Sequence, residues 1–240
     1  MKKIAVLLMI TGALSFLTAC NVFTVTNLNS EEDGFTIEKD KAKELEVELN
    51  LGAGKMEVSE GTEEWVEGVV LISDKKLNPE VSYKLKKDIG HISINQPDKK
   101  FGNITKGSLK NEWDVKLTDE IPMDLRVNTG ASETILDLQG LQLSDLQVDA
   151  GVGDITIDLS GNWKESFDVD LNMGVGSAKV LLPTDVGVKI VASKGIGETN
   201  FKGLISEGNG VYVNEAYENA DVIITITTDL GVGSATFETK

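Results

Sequence analysis

Residues 148–180 read VDAGVGDITIDLSGNWKESFDVDLNMGVGSAKV, and this stretch decides the fold. It contains one unit twice: an alternating apolar and polar segment, a Gly-x-Gly, and a second alternating segment. The two Gly-x-Gly triplets are at 151–153 and 174–176, and Ser-Gly-Asn at 160–162 separates the copies. Alternation with a period of two is typical of a strand with one buried face. Because one unit cannot bury that face alone, the copies are predicted to stack.

The same unit recurs along the chain. Aligned on the first position of each Gly-x-Gly, it starts at residues 52, 88, 130, 151, 174, 195 and 231. Two copies are degenerate, because residues 88–90 lack the first glycine and residues 130–132 lack the second. The steps are 36, 42, 21, 23, 21 and 36 residues, and a repeated step of this size indicates a stacked array. The predicted structural corners are Gly52, Gly54, Gly151, Gly153, Gly174, Gly176, Gly195, Gly197, Gly231 and Gly233.

The positions that follow each corner predict a buried column. The fourth position after the first glycine holds Met56, Ile92, Thr134, Ile155, Ala178, Thr199 and Ala235. The sixth holds Val58, Ile94, Leu136, Ile157, Val180, Phe201 and Phe237, which we expect to stack inside the coil.

No segment of the mature chain has a sustained helical period. We therefore predict an all-β fold, a single-stranded right-handed β-solenoid of stacked coils over residues 44–240, the handedness following the usual crossover preference. Insertions at 59–87, 95–124 and 203–222 are expected to be caps or lateral hairpins. Trp65 and Trp113 in two of them are expected to cover the side or end of the solenoid, with a ligand platform as the alternative.

The N-terminus predicts export and lipidation. Lys2 and Lys3 precede an apolar stretch that is too short to span a membrane, so residues 1–19 are expected to be a signal peptide. The stretch ends in Leu-Thr-Ala-Cys, which resembles the lipobox of bacterial lipoproteins. The resemblance implies cleavage between Ala19 and Cys20, diacylglycerol on the Cys20 sulfur, and palmitate-type acylation; the alternative is an ordinary secretory signal. Residues 20–43 are polar and acidic, and we expect them to form a flexible tether.

Composition limits the class of partner. The chain has 23 basic and 39 acidic residues, and loss of Lys2 and Lys3 with the signal peptide brings its net charge to −18. Such a surface argues against nucleic acid and against anionic lipid headgroups, and it would attract cationic ligands. Solubility is the simpler reason for the charge. A single cysteine also excludes a disulfide framework.

Residues suited to catalysis or metal binding are sparse. His91 is the only histidine and is expected to face solvent, so no multi-histidine metal site, no cofactor and no catalytic residue are predicted. The Gly-x-Gly triplets precede strands rather than helices, which argues against a phosphate loop. Carboxylates on the central coils could cut a glycoside or hold calcium, but outward strand positions are usually simply charged. These acids are Glu133, Asp137, Asp154, Asp158, Asp168, Asp170 and Glu198.

From residue 44 to its end, the chain resembles the toast-rack lipoproteins of bacteria, which are akin to adhesin-like domains and to the C-terminal region of cell-wall-active antibiotic response proteins. The resemblance rests on LNLGAG at 49–54, on the repeated Gly-Val-Gly, and on YENADVIITI at 217–226 before the last Gly-Val-Gly. It implies a β-solenoid that is anchored to the cell membrane and faces the extracytoplasmic side. It also implies a link to envelope stress for related domains, and no catalytic residues.

The sequence thus favours a membrane-anchored extracytoplasmic lipoprotein that acts as a non-catalytic binding or sensory module, with envelope stress as its candidate setting. The expected partners are membrane lipid through acylated Cys20 and an envelope protein, a cationic ligand or a polysaccharide. One alternative is a polysaccharide-acting β-helix enzyme, which clustering of Asp154, Asp158, Asp168 and Asp170 in a concave groove would favour. The other is a passive adhesin or structural spacer.

Overall fold

The computed structural model describes residues 23–26, 32–97 and 110–240, and these form one sheet of fourteen strands with two short 3₁₀ turns. The strands are β1 (Phe23–Thr26), β2 (Glu32–Ile37), β3 (Glu44–Glu60), β4 (Val66–Ile72), β5 (Glu80–Lys86), β6 (Ile89–Asn95), β7 (Asn111–Leu117), β8 (Met123–Asp137), β9 (Leu143–Asp158), β10 (Phe167–Leu182), β11 (Gly187–Lys202), β12 (Ile205–Gly208), β13 (Val211–Val213) and β14 (Ile223–Thr239). Over these ranges no helix is long and apolar enough to cross a bilayer. The predicted signal peptide, its cleavage site and Cys20 lie outside the described residues.

Six long parallel strands form the centre of the sheet, in the order β3-β8-β9-β10-β14-β11. Their Gly-x-Gly positions are in register, so Gly153 pairs with Gly176, Gly176 with Gly233, and Gly233 with Gly197. The all-β prediction is confirmed. Strand β14 lies between β10 and β11, so the last two strands do not stack in chain order.

Each long strand has two arms, which we define as the residues before and after its Gly-x-Gly. In β3 the inward side chains of the first arm include Leu49 and Leu51, and those of the second arm are Met56 and Val58. Leu51 and Met56 are five residues apart, so the inward side chains occupy odd-numbered positions before the Gly-x-Gly and even-numbered positions after it. Both arms therefore turn their apolar faces toward the same core.

The predicted apolar column is confirmed on the long strands. The sixth-position residues Val58, Leu136, Ile157, Val180 and Phe237 are at most 1% exposed. Burying each such side chain contributes roughly 1.5–3 kcal/mol. Phe201 is only half-buried because β11 is the last long strand of the stack; its ring stacks between those of Phe237 and Tyr212.

The predicted corner at residues 88–90 is wrong. Lys87 and Asp88 have φ values of 51° and 74° and form the turn between the antiparallel strands β5 and β6. Ile92 and Ile94 are buried, but they pair with Val47 and Leu49 in the first arm of β3. Both arms alternate in the same way, so the sequence pattern could not distinguish a first arm from a second.

The predicted tether is wrong for its second half. Strand β2 pairs with β4, and Phe35 and Ile37 on β2 are 4% and 1% exposed. Ala42 is buried as well. The segment looks polar overall, yet its few apolar residues alternate and enter the core, which fixes the chain from residue 32 onward.

The insertions add strands at the two ends of the stack, as expected of caps. Trp113 on β7 pairs with Met56 and is 1% exposed, and Trp65 is 3% exposed just before β4. At the other end, the β12–β13 hairpin pairs with β11 and places Tyr212 over the ring of Phe201.

Candidate functional site

A groove with a volume of about 1060 Å³ crosses the sheet at the Gly-x-Gly positions. We call it the corner groove. It runs over β3, β8, β9, β10 and β14, and four strand spacings of about 4.8 Å make it roughly 19 Å long. The first glycine of the Gly-x-Gly, or its equivalent, forms part of the lining on every one of these strands, so the lining has no side chain at that position.

One wall of the corner groove is a row of asparagine and aspartate side chains. These occupy the last outward position before each Gly-x-Gly and are aligned by the parallel register. The row consists of Asn50, Asn128, Asp149, Asn172 and Asp229. A repeat with a polar residue at this one position therefore produces a continuous polar wall.

Hydrogen bonds hold parts of this row in place. Asn128 Nδ2 donates to Asn50 Oδ1 at 2.7 Å, and Asn172 Nδ2 donates to Asp149 Oδ1 at 2.9 Å. Gln147 Nε2 donates to the other carboxylate oxygen of Asp149 at 3.0 Å. The carboxylate of Asp149 is therefore oriented before any ligand arrives.

At one end of the groove, two side chains take the place of a further strand beside β3, and one of them, Gln96, lines the groove. Gln96 Oε1 accepts hydrogen bonds from the backbone N–H groups of Gly52 and Ala53, at 3.0 and 3.2 Å. Asn111 Nδ2 donates to the carbonyl of Ala53 at 2.7 Å. These bonds satisfy backbone groups that the next Gly-x-Gly of the stack would otherwise pair.

The charge of the groove is negative. Its lining contains the carboxylates of Asp149 and Asp229, and no lysine or arginine is among its described lining residues. Opposite charges are attracted most strongly where water is partly excluded, so the groove favours a cationic group.

An apolar ridge borders the groove. The middle residue of each Gly-x-Gly points outward, and the parallel register places these residues side by side. Val152, Val175, Val232 and Ile196 are 55%, 47%, 48% and 77% exposed. Four neighbouring exposed β-branched side chains form a contiguous apolar strip, which is a common feature of interaction surfaces.

A second row of acids lies on the outer face of the first arms. Glu46, Asp124, Asp145 and Asp168 are neighbours on β3, β8, β9 and β10. Burial is the largest cause that raises the pKa of the Asp145 carboxyl, and the nearby charges of Asp124 and Asp170 raise it further. Burial also raises the pKa of Asp124, against the opposing effect of Arg126.

We expect Asp145→Asn to stabilise the protein at pH 7. The pKa of Asp145 is higher in the folded protein than its ordinary value of 3.8. Ionisation of Asp145 therefore lowers the free energy of unfolding as the pH rises from 3.8 through the folded-state pKa. The substitution removes that cost, which after solvent screening amounts to a few tenths of a kcal/mol. Urea unfolding of both proteins between pH 3 and pH 8 measures the difference, which should vanish at the acidic end.

Asp158→Asn provides a control of opposite sign. Burial acts to raise the pKa of Asp158, but hydrogen bonds from Ser160 and Lys240 outweigh it and the net pKa is lowered. This variant should lose stability at neutral pH and approach wild type as pH falls below 3.8. A pH-independent effect of both substitutions would contradict this account.

The acids considered as catalytic candidates do not converge. Asp154 and Asp158 lie on the second arm of β9, whereas Asp168 and Asp170 lie on the first arm of β10. None of them lines the corner groove. Asp154 accepts a hydrogen bond from Ser177, and Asp158 pairs with Lys240 at 3.2 Å.

The remaining candidates are also dispersed. Glu133 neighbours Asp154, but two serines separate them from Glu198. Asp137 accepts from Gln139 at 3.0 Å, and half-buried His91 contacts Glu46 at 2.7 Å. Within the described ranges, no three histidine, cysteine, aspartate or glutamate side chains are arranged to hold a metal ion.

Sequence reasoning found the glycines of the groove but missed its polar wall. The signal was present, because asparagine or aspartate stands two residues before the first glycine in most copies. Taken one copy at a time, such a residue only suggests a turn or an exposed position. Its meaning depends on the strands being adjacent and in register.

Two family profiles match the chain. That of the N-terminal domain of toast-rack covers residues 26–181, and that of the C-terminal domain of the cell wall-active antibiotics response protein LiaF covers residues 132–236. No curated protein sequence matches the chain.

A solved structure shows the same fold. The crystal structure of a proposed cell adhesion protein from Clostridium sporogenes is 32% identical, covers 87% of this chain and 99% of that one, and gives a TM-score of 0.80. A proposed adhesin from Bacteroides fragilis is 14% identical, covers 90% of this chain and 97% of that one, and gives a TM-score of 0.34.

Proposed function

Because the chain belongs to the toast-rack family, we propose that it is a non-catalytic binding module of the bacterial cell envelope and that the corner groove receives an extended, positively charged ligand. The description of one similar structure, in cell adhesion, and of one matching family, in the response to cell wall-active antibiotics, supports a role at the cell surface. A link to envelope stress is part of the same proposal.

The observation that carries the proposal is the combination of shape and charge in the corner groove. A cleft of about 1060 Å³ and roughly 19 Å long suits a chain of several residues rather than a compact small molecule. Asp149 and Asp229 supply the negative charge, and the asparagines supply hydrogen-bond donors and acceptors along the same wall.

A non-catalytic role is supported by the side chains around the groove. The polar ones are carboxamides, the carboxylates of Asp149 and Asp229, and one hydroxyl, and the remaining lining residues are glycines or apolar. That hydroxyl belongs to Thr129, whose side chain is buried, so it is not presented to a ligand as a nucleophile. The acids that a glycoside hydrolase would need lie on different arms.

The proposal includes the winding of the chain. Parallel pairing of consecutive units, with a return segment after each second arm, supports a β-solenoid, and the general preference of parallel connections supports a right-handed one. A crystal structure with left-handed connections between β8, β9 and β10 would contradict this part.

We further propose that two acyl chains on Cys20 hold the protein on the extracytoplasmic face of the cell membrane. The lipobox-like sequence that ends at Cys20 is the support. The Cys20→Ala variant should lose palmitate labelling and move from the membrane fraction to the soluble extracytoplasmic fraction. Retention of both label and membrane association by that variant would refute lipidation at this residue.

Binding to the groove is testable with an octalysine peptide and isothermal titration calorimetry. We expect binding that weakens with salt, because exposed charges are screened at higher ionic strength. The double variant Asp149→Asn and Asp229→Asn should weaken it about tenfold, because it removes both carboxylates from the groove.

The matched control is Asp114→Asn with Asp221→Asn, which removes the same charge from exposed positions outside the groove. It should change the affinity by less than about twofold. Equal losses in both double variants would show attraction to net charge alone and refute the groove. Tight binding of a neutral oligosaccharide that ignores Asp149 and Asp229 would instead favour a polysaccharide ligand and refute a cationic one.

A further inference from the structure

A second cavity lies away from the corner groove, between β2, β4 and the start of β5. Its volume is about 330 Å³, and its walls include Phe35, Val70, Pro79 and Val81. Cavities of this size with mostly apolar walls and a few polar groups are typical of small-molecule sites. An apolar cavity of half this volume already accommodates a benzene ring.

The polar group of this cavity stands where the strand pattern calls for an apolar residue. On β2 the inward series is Asp33, Phe35 and Ile37, and Asp33 is only 7% exposed. A carboxylate at such a position is costly unless it is paired. Its side-chain partner is neutral, because Asn78 Nδ2 donates to Asp33 Oδ2 at 2.7 Å.

Asn78 is itself incompletely satisfied. Its Oδ1 atom is buried and has no hydrogen-bond partner among the described residues. A buried acceptor left without a donor costs about 1–3 kcal/mol. The cavity thus combines two unfavourable polar features, and a sequence that breaks its own pattern in this way usually does so for a site.

From this combination we infer that the cavity is a binding site for a small organic ammonium ion with an aromatic or aliphatic body. The ammonium group would lie beside the Asp33 carboxylate, and the body would contact Phe35, Val70 and Val81. The outward carboxylate of Glu80, which also borders the cavity, adds attraction at its mouth. An anionic ligand of the same shape would be repelled by both acids.

The test uses the purified full chain in lipid nanodiscs, with phenethylammonium as the probe and phenylacetate as its anionic counterpart. Binding is followed through the methyl NMR signals of Val70, which report on the cavity itself. The ammonium probe should saturate these shifts with a Kd of about 1 mM, as fits its nine heavy atoms. Phenylacetate should bind at least about tenfold more weakly.

Two variants separate charge from shape. Asp33→Asn keeps the shape of the cavity but removes the negative charge, and it should weaken phenethylammonium binding about tenfold. Val81→Phe fills the cavity and should abolish saturation. Asp114→Asn and Val69→Phe are the matched controls, because both change exposed residues that do not line this cavity, and neither should alter the affinity.

If Asp33→Asn does not fold, two measurements still test the proposal: the affinity of Val81→Phe for phenethylammonium, and the affinities of the wild-type protein for the two probes. Equal binding of phenethylammonium and phenylacetate would overturn the proposal. Binding of the ammonium probe that survives both Val81→Phe and Asp33→Asn would overturn it as well. None of these outcomes depends on the corner groove, which lies on different strands.

Discussion

Gly176→Ala is expected to lower the free energy of unfolding by at least about 3 kcal/mol. Gly176 has a φ of 141°, which an alanine adopts only with strain. A Cβ at this position would also overlap the carbonyl oxygen of Gly153 on the neighbouring strand. The strain and the overlap add, because the backbone of β9 cannot move away without breaking its own pairing with β8.

Urea unfolding followed by tryptophan fluorescence measures this loss. Gly61→Ala is the matched control, because Gly61 has a φ of 116° but a Cβ at this position would meet no atom within 4 Å. The control should cost only about 1–2 kcal/mol of backbone strain. If the two variants lost equal stability, close approach of the strands would not be the reason for the glycine.

Asn111→Ala is expected to cost about 2–4 kcal/mol. Asn111 is 1% exposed and makes three side-chain hydrogen bonds. It donates to the carbonyl of Ala53 and to Gln96, and it accepts from the indole N–H of Trp113 at 2.9 Å. Alanine would leave the buried indole N–H without its partner and would remove a hydrogen bond that holds Gln96 at the end of the groove.

The control for this prediction is Asn162→Ala, an exposed asparagine in a turn, which should change stability by less than about 0.5 kcal/mol. A double-mutant cycle adds a sharper test. In a Trp113→Phe background the indole N–H is gone, so Asn111→Ala should cost about 1–2 kcal/mol less than in wild type. A coupling near zero would show that the hydrogen bond to Trp113 contributes little.

The repeat explains why the residues important for stability lie next to those proposed to bind a ligand. The glycines allow the backbones to approach at each Gly-x-Gly, and their missing side chains leave the floor of the corner groove open. On each strand of the groove, the last outward residue before the Gly-x-Gly is an asparagine or aspartate, and these aligned residues form the polar wall. A substitution at a glycine is therefore expected to disturb the fold, whereas one at Asp149 or Asp229 should disturb binding alone.

The sequence did not predict how the copies are arranged. Its steps suggested stacking in chain order, yet β14 is inserted between β10 and β11. The long segment between Gly195 and Gly231 gives the chain enough length to form a hairpin on the outer edge of β11 and return on its inner edge. Strand order depends on which edge offers the better apolar contact, and local pattern does not encode that choice.

By itself, the sequence determined the all-β class, the Gly-x-Gly period and the inward column that includes Ile157 and Val180. These follow from local alternation and from glycine, whose effects act within a few residues. Only the tertiary structure decided that residues 88–90 lead from a hairpin turn into β6, that Asn111 caps the backbone of β3 beside the groove, and that Asp33 stands in a cavity wall. Each of these was decided by contacts between residues tens of positions apart, namely β6 with the first arm of β3, Asn111 with Ala53, and Asp33 with Asn78. Local pattern does not specify such contacts.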